Sequence, residues 1–126
     1  MKLIKILSVL ISIMGLIHIT ATFSPLISGK LASLDEATYC AMIYMSLMCG
    51  LLLITLGSFI TWAICKVYEI PTLKRPILIA TILLSADGVS AVILMPHNPF
   101  AWTIGVLCVA ILFTLLYSLC KQSDAH

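Results

Sequence analysis

At 126 residues the chain is one domain at most, expected to span 1–126 without a boundary. Hydrophobic residues make up 62% of it and charged residues only 10%, where an ordinary soluble domain is about 25% charged. With a mean hydropathy of +1.19, so little polar surface excludes a soluble fold, and a formal net charge of +2 gives no reason to expect a nucleic-acid partner.

Spanning helices need about 20 largely apolar residues, and four stretches qualify. The first follows "MKLIK" and covers about 6–22. Along it Ser8, Ser12, Gly15, His18 and Thr22 recur at steps of three or four, a stripe of small and polar residues that predicts the face turned to other helices. The charged start and apolar core also fit a secretory signal. "IHITATFSP" is a poor cleavage site, however, so an uncleaved helix is expected.

An outer loop, "SPLISGKLASLDEATYC", leads to the second span at about 37–65. Ser33 and Glu36 have the spacing of a capping box that would start it. Gly50, Gly57 and Thr61 offer close approach along this span. The inner loop "KVYEIPTLKR" gives a topology signal and a contact for anionic headgroups.

The third span, about 76–95, contains "ILLSADGVSAVIL", with Asp87 and Gly88 at its centre. A turn there would leave two halves too short to cross, and lipid-exposed turns do not occur in hydrocarbon. One continuous helix is expected. Ser85, Ala86, Gly88, Ser90 and Ala91 leave little bulk around the carboxylate. After the tight turn "MPHNPFAW" the fourth span runs over about 100–120, with Gly105 as a close-approach point.

Orientation follows the Lys/Arg count. With the N-terminus inside, Lys2, Lys5, Lys66, Lys74, Arg75 and Lys121 are inner and Lys30 is outer. Both termini are thus expected to be cytoplasmic. Tyr39 and Trp102 then fall at the outer interface, and Trp62, Tyr68 and Tyr117 at the inner one, as aromatic belts do. The fold class is all-α, an integral membrane four-helix up-down bundle.

Depth can be counted from the inner charges. His18 lies thirteen residues beyond Lys5 and Asp87 twelve beyond Arg75, so both sit about 18–20 Å in. Cys108, counted back from Lys121, shares their layer, and the same count back from Lys66 gives Leu53, near Thr55. An isolated mid-membrane carboxylate costs at least about 2.5–3.5 kcal/mol and is normally paired, protonated or lining water. His18 is the expected partner of Asp87.

The candidate ligand or proton site is therefore Asp87 and His18, with Cys108 and Ser90 beside them. The expected role is binding or moving a small ligand or proton. One alternative is an accessory or immunity-type protein in which the pair is a structural clamp. Another is a membrane enzyme on a lipophilic substrate, with the pair as acid and base. Catalytic residues are not assignable, and the reading leans away from an enzyme.

Soft ligands for Cu(I) would come from Met42, Met45 and Cys49 on one helical face, with Met95 and His97 beyond span three. Methionines at helical spacing more often pack, so no metal site is preferred. No nucleotide, zinc-protease or nucleophile-elbow motif is present, and no cofactor is expected. The five cysteines show no CxxC and are read as packing residues. Partners are the lipid bilayer and a small or lipophilic ligand. A second copy is the natural addition, because four helices enclose little volume.

"GLIHITATFSP" in the first span, a glycine and histidine followed by a polar, proline-marked exit, resembles the small four-span DoxX-like bacterial membrane proteins. The resemblance implies a compact four-helix bundle in a bacterial inner membrane and little about activity. Small multidrug transporters share only the span count, since their membrane carboxylate lies on the first helix and here it lies on the third.

Overall fold

The computed structural model describes residues 2–31 and 33–123. His126 lies outside the described residues, as do the side chains of Lys30 and Lys121. The elements are α1 (Lys2–Thr22), α2 (Pro25–Leu31), α3 (Glu36–Lys66), a 3-10 turn (Pro71–Leu73), α4 (Lys74–Leu94) and α5 (Pro99–Ser123). Among the described residues four helices, α1, α3, α4 and α5, are long and apolar enough to cross a membrane. The chain is an all-helical integral membrane protein.

Backbone satisfaction explains why these segments are helices. In hydrocarbon each N–H and C=O must be bonded within the segment, which an α-helix does even for β-branched Ile and Val. The hydroxyls follow the same demand. Thr20, Thr55, Thr81, Thr103, Thr114 and Ser118 bond back to carbonyls three or four residues earlier on their own helix. A hydroxyl satisfied in this way can face lipid at little cost.

Helix ends are set by local chemistry. Pro25 starts α2, where a missing N–H costs nothing. Asp35 caps α3 by accepting from the Thr38 N–H at 3.0 Å. The expected Ser33/Glu36 box is thereby corrected, since the cap lies two residues beyond Ser33 and Glu36 is the first helical residue. At the other end of α3, Lys66 bridges to Glu69 at 2.8 Å before the 3-10 turn at Pro71. Asn98 Oδ1 accepts from Phe100 N–H at 3.0 Å with Pro99 opening α5, and Trp102 Nε1 ties this turn by donating to Pro96 O at 2.9 Å.

Asp87 and Gly88 lie within one uninterrupted α4, as expected. The main contacts form a ring: α1 touches α3 and α5, and α4 touches α3 and α5, with α1 against α3 the most extensive. Ile4, Ile11, Leu53, Ile60, Ile77, Leu84 and Ile111 are fully buried along the ring's axis, while Leu, Ile, Val and Phe cover the outside.

Two seams differ in kind. Along α1 and α3 residues pair in reverse order, Ser8 with Thr61 (2.8 Å), Ser12 with Ser58 (3.4 Å) and Thr22 with Ser46 (2.6 Å). Between these pairs the backbones nearly touch. A Cβ on Gly15 would lie 2.7 Å from Gly50 O, and one on Gly57 would lie 2.5 Å from Ser12 Oγ and 2.8 Å from Ser8 O. On α4 and α5, Gly88 rests against Cys108 and Gly105, and Ser85 Oγ donates to Cys108 O at 3.0 Å.

Candidate functional site

His18, on the α3-facing stripe of α1, is half-buried, and its ring is held on two sides. Nε2 lies 3.1 Å from Ser46 Oγ of α3. The ring stacks on Phe100 at the start of α5, with centroids 5.3 Å apart and planes at 24°. Ser46 also meets Thr22 Oγ1, and Thr22 donates to His18 O at 2.9 Å. His18, Ala21, Thr22, Ile27, Ser46, Asn98 and Phe100 line a cleft of about 190 Å³.

Asp87 enters the same neighbourhood from α4. It lies within electrostatic range of His18 of α1, Cys49 of α3 and Cys108 of α5, but it does not line the His18 cleft. Cys108 is fully buried and Cys49 partly so. Asp87 Oδ2 is sealed from the surroundings and accepts no hydrogen bond from the described residues. His18 and Asp87 are electrostatic neighbours without a direct hydrogen bond among the described residues.

The remaining candidates fall elsewhere. Ser90 is exposed on α4 and does not line the His18 cleft, and Ala86 is exposed too. Leu53 is buried but lies beyond the level of His18, and Thr55 is exposed and bonds its own helix. The partner of His18 on α3 is Ser46, seven residues before Leu53. Between the Ser8–Thr61 and Thr22–Ser46 pairs the two helices advance almost equally, 14 residues on α1 and 15 on α3, so the backbone of His18 lies within about a turn of Leu53 and its side chain reaches outward to Ser46.

Met42, Met45, Met95 and His97 are exposed. No three His, Cys, Asp or Glu side chains among the described residues are grouped to hold a metal. Sequence reasoning did not single out Ser46, Asn98 or Phe100. One signal for Ser46 was available: Ser46, Gly50, Gly57 and Thr61 form a small-residue stripe on α3 that mirrors the one on α1.

Chemically, the centre offers a carboxylate with an open acceptor, an imidazole anchored through one nitrogen, and hydroxyls beside a small cleft. Two acceptor-bearing groups in a low-dielectric interior suit a proton or a donor-bearing ligand rather than an anion. No family model matches this chain, and no curated protein or solved structure matches it either.

Proposed function

We propose that this is a four-span, up-down membrane protein with both termini cytoplasmic, which binds or moves a proton or a small cationic or hydroxyl-bearing ligand at His18 and Asp87. The observation that carries the reading is the open Asp87 carboxylate. Oδ2 is buried, unbonded to the described residues, and electrostatically linked to His18. A buried acceptor without a partner is costly, and an interhelical polar bond worth about 0.6 kcal/mol would not offset it. A structural clamp would join α1 to α4 through a direct His18–Asp87 hydrogen bond, and none is present among the described residues. Keeping an acceptor open serves a group that cycles a proton or grips a donor.

The cleft beside His18, at about 190 Å³, is below the range of about 300–1,000 Å³ usual for drug-sized ligands, which favours a small species. Its lining includes Asn98 of the α4–α5 turn, and the Lys/Arg asymmetry supports an outer position for that turn. An enzyme on a lipophilic substrate would need the pair to meet a lateral opening. The apolar groove of about 430 Å³ at Val89, Trp102, Gly105 and Val109 is lined by neither residue. The "GLIHITATFSP" resemblance supports placing the chain with DoxX-like proteins of the bacterial inner membrane, and the small enclosed volume supports a homodimer.

The test compares the parent with Asp87→Asn after purification. Native mass spectrometry reads any retained small molecule, and liposomes loaded with a pH-sensitive dye read proton flux under an imposed gradient. The expected result is a loss of at least about tenfold in one of the two signals, the size of one charge-assisted hydrogen bond. A variant that keeps both signals at parent level rules the reading out.

A further inference from the structure

The hydroxyl chain around His18 has a direction. Thr22 donates its single hydroxyl proton to His18 O at 2.9 Å. Toward Ser46, 2.6 Å away, Thr22 Oγ1 is therefore the acceptor, and the Ser46 proton is committed to it. Ser46 Oγ must then accept in its 3.1 Å contact with His18 Nε2, which requires a proton on Nε2. The three bonds run from the imidazole through Ser46 and Thr22 to the carbonyl of the same histidine. Because the chain closes on the residue where it began, it conducts no proton away.

We propose that Ser46 and Thr22 are positioning residues that pin the Nε2–H tautomer of His18 and so make Nδ1 the ring atom that exchanges a proton, or meets a ligand's donor, at the Asp87 site. Two further observations agree. Nδ1 bonds to none of the described residues, and it is not among their sealed, unbonded atoms, of which Asp87 Oδ2 is the one found. Stacking on Phe100 restrains the plane of the ring. Of the groups on neighbouring helices, Ser46 of α3 bonds the ring and Asp87 of α4 lies within electrostatic range of it, while Cys49 of α3 and Cys108 of α5 face Asp87. With Nε2 occupied, a neutral His18 presents an acceptor at Nδ1, and Asp87 Oδ2 is an acceptor without a partner among the described residues. The fitting ligand class is a small molecule with N–H or O–H donors, such as a primary ammonium or an alcohol.

The role of Nδ1 rests on the His18/Asp87 reading above, whereas the tautomer does not, and the experiment separates them. The full chain is labelled with 15N-histidine and held at a pH where the ring is neutral. His18 is assigned from the signal lost in His18→Gln, and bare and protonated nitrogens resonate far apart. The parent is expected to show Nε2 protonated. Ser46→Ala shifts the tautomer ratio toward Nδ1–H by about fivefold, the worth of one hydrogen bond. Thr22→Val, which keeps volume and loses the anchor, shifts it by about twofold, and Thr22→Ser restores the parent ratio. A parent with Nδ1 protonated, or a ratio unmoved by Ser46→Ala and Thr22→Val, overturns the inference. Lost tautomer control beside an intact Asp87→Asn effect overturns this inference alone. Intact control with no Asp87→Asn effect overturns the site reading, and the role of Nδ1 with it.

Discussion

The α1/α3 seam and the α4/α5 seam are both built on glycines, yet they treat polar side chains in opposite ways. Along α1/α3 the interhelical hydroxyls meet in pairs, Ser8 with Thr61, Ser12 with Ser58 and Thr22 with Ser46. Along α4/α5 the contact is mostly glycine against sulfur and backbone, with one bond from Ser85 to Cys108 O. The one acid inside a span, Asp87, is carried by α4, with its buried oxygen unbonded to the described residues. Helix association in lipid has little hydrophobic driving force and relies on close packing and polar bonds. The first seam carries that load, which leaves the second free to hold a costly group.

The largest expected difference between the seams is steric. Gly57→Val puts a branched side chain against Ser8 O and Ser12 Oγ, backbone and a short side chain with nowhere to move. A loss of about 3 kcal/mol or more is expected, read as a drop in thermal midpoint in detergent. Gly105→Ala meets chiefly the tip of Val92, at 2.7 Å, with Gly88 O at 3.2 Å. Part of its cost is returned by the better helix propensity of Ala, so the change is expected to stay within about 1 kcal/mol. Equal losses from the two substitutions would contradict the division of labour between the seams.

Next in size is a gain. If Asp87 is retained for activity at the expense of stability, Asp87→Leu raises the thermal midpoint while abolishing the binding or flux signal. The expected stabilisation is about 2 kcal/mol, somewhat under the cost of a carboxylate at mid-span. A lower midpoint in Asp87→Leu would mean that the acid holds the bundle together after all. On the other seam a polar-to-apolar change has the opposite sign. Thr61→Val keeps the volume and removes the bond to Ser8, and it is expected to cost about 0.6 kcal/mol.

The same contrast explains what could be read in the sequence. Four spans are legible because apolar runs of about twenty residues have few other uses. The inward stripe of α1 is legible because Ser8, Gly15 and Thr22 repeat at the helical period, and all three are buried. The helix starts earlier than the apolar run suggests, at Lys2, because long lysine stems reach back to the interface without breaking a helix. The short α2 went unread because "PLISGKL" carries a proline, a serine and a glycine in seven residues, the composition of a loop. The sequence offers His18 and Asp87 as lone ionisable groups expected at matching depth, and the fold makes them electrostatic neighbours without a direct hydrogen bond among the described residues. Ser46 was not legible, since a serine in an apolar helix is usually bonded to its own backbone, and only the fold shows that this one reaches His18 and Thr22 instead.

The smallest expected effect lies outside both seams and bounds how far they depend on helix ends. Bonds from Thr38, side chain first and then backbone, hold the Asp35 carboxyl below the usual carboxylate range in the folded chain. A group whose folded pKa is depressed contributes above its unfolded value, about 3.9, and that contribution fades as pH falls through the folded value. Acidification below about pH 4 is therefore expected to loosen the first turn of α3, and Asp35→Ala to do so at every pH. Hydrogen exchange at the Thr38 amide reads both effects. Ser46 lies eight residues beyond Thr38 along α3, out of reach of a frayed first turn, so its tie to His18 and Thr22 should persist. Joint loss of Thr38 protection and the His18 tautomer signal in Asp35→Ala would show that the α1/α3 seam is organised from the cap inward rather than by its own glycines and hydroxyls.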